Sequence, residues 1–351
     1  MLKKTSLLIL VFVFLAVFSG ANFVQAEQIT MRMAIGEPSH INIGNERLPF
    51  ITYAMMRTFG DVAGELTGGQ IEVDIFTDGA LGSDREALEQ LNQGLIHGVA
   101  TNEGVLPNWY EPIQVLALPF MFDNQAVAWE VLDGEFMNEM YDDMAEKENY
   151  RIISIGSNGG FRMIGNNVRP LRTPEDFQGL NIRTQEIPAQ MELVEGQGAN
   201  ATSVSWPEVY NALQTGVVDG AELPVVGAVA QSHHEVLDYV TISKHLYSPM
   251  FIVINEEWYQ DLEPEHREAI RIAGRVAGTV GRGMSEYSVG RVIDMFEEED
   301  IEVAILSAEE REVLRANSFE PVREWLANEI DEEWIIGFEE AVEEAREKYS
   351  E

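Results

Sequence analysis

Residues 160–184 read GFRMIGNNVRPLRTPEDFQGLNIRT. Thr173, Pro174 and Asp176 have the spacing of a helix start, Gly179 ends that helix, and Leu180 to Arg183 follow as a strand. Arg162 and Arg183 stand at the two ends of this stretch, each where a strand meets a turn. An arginine fork matches a carboxylate bidentately and keeps its charge at any working pH. Downstream, SWPEVYNALQTGVVDGAELP (205–224) predicts a capping box at Ser205 to Glu208 and a helix through Leu213 that stops at Gly216. A strand at Val217 and Val218 then enters a turn from Asp219 to Pro224. Upstream, the pattern predicts a strand over Ile29 to Ala34, a helix near Phe50 to Leu66, a strand over Ile71 to Phe76 and a turn from Asp78 to Gly82. Ser83-Asp84-Arg85-Glu86 is a second capping box, with Leu88, Leu91 and Leu95 as the apolar stripe behind it. Strand and helix alternation of this kind indicates an α/β fold with ligand sites at strand ends.

These arginines, Trp206, GALGSDREALEQLNQG (79–94) and ALPFMF (117–122) together resemble the substrate-binding proteins of tripartite ATP-independent periplasmic (TRAP) transporters. The resemblance covers nearly the whole chain. It implies an α/β, two-lobed periplasmic binding protein, type II-like, with a hinge and a long helix spanning both lobes. It also implies delivery of the ligand to small and large TRAP membrane subunits.

The first residues indicate where the protein works. Lys3 and Lys4 precede an apolar run from Leu7 to Phe18, and Val24-Gln25-Ala26 is a small-x-small cleavage site, so residues 1–26 read as a secretory signal peptide. The run falls short of the roughly 20 residues that a spanning helix needs. The chain has no cysteine, which leaves neither a lipid attachment site nor a disulfide framework, so stability must come from the core. Export without lipidation suits a bacterial periplasm. The chain carries 23 Lys and Arg against 60 Asp and Glu, a formal net charge of −37. Without residues 1–26, whose charges are the two lysines alone, the value is −39. Such a chain repels nucleic acid and suits a surface adapted to high salt, where screening relieves self-repulsion. An anionic ligand then requires a local cationic site.

At 351 residues two lobes are expected. Residues 27–151 plus about 240–285 form the first and 152–239 plus about 286–351 the second, with hinge crossings near Arg151 and near Val240. After Leu262, apolar residues at Ile270, Ile272, Val276, Val280, Met284, Val289, Val292 and Met295 keep a helical period for many turns.

Arg183 is the first candidate, projecting from a strand end into the interlobe crevice, and the resemblance implies that it anchors a ligand carboxylate. Arg162 either adds a contact to the same group or forms a structural ion pair. Trp206 reads as a ring over the ligand or a core aromatic. Glu222 would orient an arginine, accept a ligand hydroxyl, help bind a metal as the resemblance implies for keto-acid relatives, or serve as a turn carboxylate. Leu223 departs from the family form, which carries a polar or aromatic residue there. Asn102, Glu103 and Glu37 follow strand ends as further candidates. No cofactor and no metal site is expected, because the six histidines lack ligand spacing. Enzyme motifs are absent: there is no Cys nucleophile, G-x-S-x-G elbow, H-E-x-x-H or P-loop. Gly196 to Ala201 and His233-His234-Glu235 are the nearest matches and lack the required context. The expected function is capture of a small organic acid by a monomeric receptor. An exported sugar-acid enzyme and a sensor input domain are the competing classes. The acid itself stays open among C4-dicarboxylates, uronates or other sugar acids, keto acids and ectoine.

Overall fold

The computed structural model describes residues Gln28–Tyr349, so the expected signal peptide lies outside the described residues. β1 (Ile29–Ile35) is followed by a hairpin of β2 (His40–Ile43) and β3 (Glu46–Pro49), then β4 (Ile71–Phe76) and β5 (Gly98–Asn102). β6 (Tyr150–Asn166), β7 (Asn181–Thr184), β8 (Asn200–Ser203), β9 (Gly220–Pro224), β10 (Tyr239–Ile242) and β11 (Tyr247–Asn255) come next. β12 (Glu302–Ile305) follows the long helix Pro264–Glu298. The strands lie in the order β4-β1-β5-β11-β6-β9-β7-β8, with β10 beside β6 and β12 beside β10.

This path contains two sheets that share β6. Residues 150–157 and Phe161 of β6 pair with β11, whereas residues 162–166 pair with β9, and 164–166 also with β10. Between them, Gly159 and Gly160 have φ of +87° and +74°, a region that glycine enters without a Cβ penalty. The return crossing is the segment from Ser243 to Leu246, between β10 and β11. Both crossings therefore differ from those expected near Arg151 and Val240. Arg151 pairs with Ile254 inside the first sheet, and Val240 pairs with Gly165 and Val303 inside the second.

The helix Pro264–Glu298 packs against the helix Ile51–Leu66, β6 and β12 and so runs along both lobes. Ile270, Val292 and Met295 are buried as the expected apolar stripe requires, but the middle of its buried face departs from that stripe. Ala273, Gly274, Ala277, Gly278, Gly281, Ser285 and Ser288 are buried, whereas Val276 is exposed. Small residues are required because the helix lies directly on the β6 backbone. A Cβ on Gly274 would overlap the Ile153 carbonyl, and one on Gly278 would stand 2.6 Å from the Ile155 carbonyl oxygen. At the sheet crossing, Ser157 Oγ donates to Ser285 Oγ at 2.9 Å and accepts from the Gly160 amide at 2.9 Å.

Two local expectations also change. Leu95 lies beyond the helix Asp84–Asn92 and is exposed. Asp219 to Pro224 is not a turn: β9 occupies Gly220–Pro224, and exposed Val217 belongs to no strand. Val217 and Val218 raise local β propensity, but the partners for a strand, Ile182 and Arg183 of β7, are in register with Gly220 and Ala221.

Candidate functional site

Between the lobes lies a cleft of about 670 Å³. Its walls come from the carboxyl ends of strands: Glu37 after β1, Asp78 after β4, Asn102 and Gly104 at β5, Arg183 and Gln185 at β7, Trp206 after β8 and Pro224 at β9. Side chains and backbone groups at such ends are free of ladder pairing, and here they converge from two sheets.

Two buried arginines stand in the second lobe's wall, in opposite electrostatic states. Arg162, on β6, forms a bidentate pair with Glu222, on β9: Nε donates to Oε1 and Nη2 to Oε2 at 2.7 Å. Arg162 Nη1 also donates to Ser248 Oγ at 3.1 Å and lies 3.6 Å from Glu103 Oε1. Glu222 Oε1 is 3.2 Å from His245 Nε2, whose Nδ1 is 2.6 Å from Ser243 Oγ. Burial works to raise the Glu222 carboxyl, but Arg162 and His245 outweigh it and hold it down at about 2. Glu103 is pushed up to about 7 by burial, with Arg162 offsetting part of the rise. With its amide turned to satisfy its neighbours, Gln185 donates to Asn102 Oδ1 at 3.0 Å and accepts from Arg162 Nη1 and Nη2 at 3.1 and 3.2 Å. The Arg162 fork is therefore fully engaged by protein groups.

Arg183 is 2% exposed and bonds to backbone carbonyls: Nε to Val204 O at 2.9 Å and Nη1 to Glu222 O at 3.4 Å. Among the described residues no carboxylate lies within ion-pair distance of it. Burial therefore pulls its guanidinium down to about 9, and the charge of Glu222 recovers part of the loss while Arg162 adds to it. The guanidinium lies 5.7 Å from the centre of the Trp206 ring. That ring in turn stands edge-on to His233 at 4.7 Å. A cation that is desolvated, lacks a counter-ion and lines a cleft is chemically suited to a ligand carboxylate.

The first lobe presents acids. Glu37 and Asp84 both line the cleft, and Glu37 Oε2 is buried without a partner. Asp84, at the start of the helix Asp84–Asn92, accepts from Thr101 Oγ1 at 3.1 Å and lies against Gly36, where a Cβ would be 2.8 Å from Oδ1. Burial raises both carboxyls above their ordinary range, and the charge of Asp84 raises Glu37 further.

Of the residues expected from sequence, Arg183, Arg162, Trp206, Asn102 and Glu37 line the cleft. Glu222 and Glu103 stand behind Arg162 rather than on the wall. Leu223 points to the other face of β9 and is packed in the apolar core, so it does not line the cleft. The Ser205 capping box does not close around a backbone amide; Ser205 Oγ donates instead to Glu208 Oε2 at 2.8 Å, and a short 3-10 turn precedes the helix Val209–Gln214. Sequence reading missed Gln185, Ser248 and His245. It also took Asp84 as a cap residue alone, although its position just after the Asp78–Gly82 turn at a strand end was the available signal. Among the described residues no group of three His, Asp or Glu is placed to hold a metal.

Two lobes, a strand-end cleft and an unpaired internal cation define a solute receptor of the bilobal kind. The chain belongs to the bacterial extracellular solute-binding protein family 7 (DctP), whose pattern matches residues 48–328. This is a family of solute-binding proteins, with periplasmic members. A solute-binding protein of Chromohalobacter salexigens is 30% identical over 67% of this chain and 69% of its own length. The sugar acid binding protein of Advenella mimigardefordensis, solved with galactonate, superposes with a TM-score of 0.83 at 27% identity, covering 91% of this chain and 99% of that one. A TRAP solute-binding protein of Sulfitobacter, solved with β-D-galacturonate, gives 0.81 at 26% identity over 89% and 99%.

Proposed function

We propose that this chain is the periplasmic receptor of a TRAP transporter, which captures a small organic acid and hands it to small and large membrane subunits. Residues 1–26 would direct its export, and binding would proceed without turnover. The observation that carries the reading is the Arg183 guanidinium, buried, without a counter-ion and open to the cleft. A carboxylate there supplies the missing charge and accepts from the remaining Nη N–H groups of a fork already held by the Val204 and Glu222 carbonyls. Trp206 covers the same region, and Asn102 and Glu37 from the other lobe complete the enclosure. Because contacts come from both lobes, the ligand stabilises the closed arrangement. Relatives solved with galactonate, galacturonate and D-glucuronate support a sugar acid.

A thermal-shift screen of these acids followed by calorimetry tests this reading. At least one should bind, Arg183→Ala should abolish binding, and small-angle scattering should show a smaller radius of gyration at saturation. No response to any carboxylate, or turnover of a bound acid, would remove the proposal.

A further inference from the structure

The two ends of the cleft differ in what they lack. The second-lobe wall has a cation without an anion at Arg183, whereas the first-lobe wall has Glu37 Oε2, enclosed and unpartnered, beside Asp84. Glu37 is 7% exposed and lines the cleft, with Oε2 enclosed in its wall. Among the described lining residues, the cation on this side is Arg85, which is directed to Glu89 at 3.5 Å and Asn108 at 3.3 Å. Asp78 and Glu86 add further acid to the same side. Asp84 is braced by Thr101 and by the backbone of Gly36, leaving it little room to withdraw.

A second carboxylate arriving at this end would meet acids and find no cation free to pair with it, and like charges brought together out of water are strongly disfavoured. A hydroxyl is accommodated instead. It donates and accepts at once, so it pairs with a carboxyl of this wall in either protonation state. Burial raises both groups, and the charge of Asp84 raises Glu37 further. We propose that Glu37 and Asp84 form the specificity-determining pair of this receptor, reading the hydroxyl-bearing end of a sugar monoacid and rejecting the diacid of the same chain length. The inference rests on the preceding reading, in which Arg183 holds the first carboxylate.

The test is calorimetry with galactonate and galactarate, which share six carbons and differ by a second carboxylate, on the wild type, Glu37→Gln and Asp84→Asn. Melting curves of each variant establish that it is folded, and either folded variant suffices. The wild type should prefer galactonate by more than about tenfold. Asp84→Asn should narrow that preference by about threefold or more, since a neutral amide keeps the shape and removes the repulsion, and Glu37→Gln should do so when read above about pH 8, where the carboxyl it replaces is ionised. Galactarate bound as tightly as galactonate, or a ratio unchanged in a folded variant under those conditions, overturns this inference and leaves acid capture standing. Failure of both sugars and of the uronates to bind the wild type overturns acid capture and this inference with it.

Discussion

The same substitution at the two buried arginines should have opposite consequences. Arg162→Met removes one partner of a bidentate pair whose other member, Glu222, is fully buried and ionised. Stranding such a charge costs about 3–5 kcal/mol. At about 2 °C per kcal/mol for a chain of this size, the melting temperature should fall by roughly 6–10 °C. Arg183→Met removes a charge that has no counter-ion. Burial drops its guanidinium well below the ordinary arginine range, to about 9, and at about 1.4 kcal/mol per unit the desolvated cation carries a cost of several kcal/mol. Against that stand its two bonds to the Val204 and Glu222 carbonyls, about 1–3 kcal/mol each. These contributions nearly cancel, so ligand-free Arg183→Met should melt within a few degrees of wild type or slightly above it. Ligand affinity should follow the reverse order. A buried carboxylate deprived of its ion partner loses about 2–5 kcal/mol, which is roughly 30-fold to several thousandfold in Kd. Calorimetry and melting curves at one pH and salt read both quantities. Equal destabilisation by the two substitutions, or Arg183→Met binding within about threefold of wild type, would refute the assignment of a structural role to one arginine and a binding role to the other.

Glu37 ionises near 4.5 ordinarily and near 8 when folded, so between those values the folded state keeps a proton that the unfolded chain has released and stability falls as pH rises. Glu37→Gln should therefore match wild type near pH 4.5 and be more stable at pH 8 by roughly 1 kcal/mol or more in urea titrations; equal stability at both would show that the carboxyl is not desolvated. Gly274→Ala places a methyl group on the Ile153 carbonyl and should cost about 1–3 kcal/mol or more; unchanged urea unfolding would mean that the helix does not lie on β6. With a net charge of −37, the melting temperature should climb steeply from low to molar salt as screening relieves repulsion, and a flat profile would count against a surface adapted to high salt.

What the sequence determined by itself lies close to the chain. The strand Ile71–Phe76, the capping box at Ser83, the helix start at Thr173 and the extent of the long helix were legible because each depends on neighbours within a turn or on period alone. The family was legible because whole stretches carry it. What only the tertiary structure decided depends on residues distant in sequence. Glu222 looked like a turn carboxylate next to Asp219-Gly220, yet pairing with β6 draws it into a buried strand opposite Arg162. The small-residue face of the long helix answers to a β6 backbone more than a hundred residues away, which no helical period encodes. Arg162 and Arg183 are the same residue type at similar strand ends. The difference between them is the carboxylates of Glu222 and Glu103, which reach the first and not the second. Side-chain chemistry is written in the sequence, but whether a charge is neutralised is set by what the fold brings within a few ångströms of it.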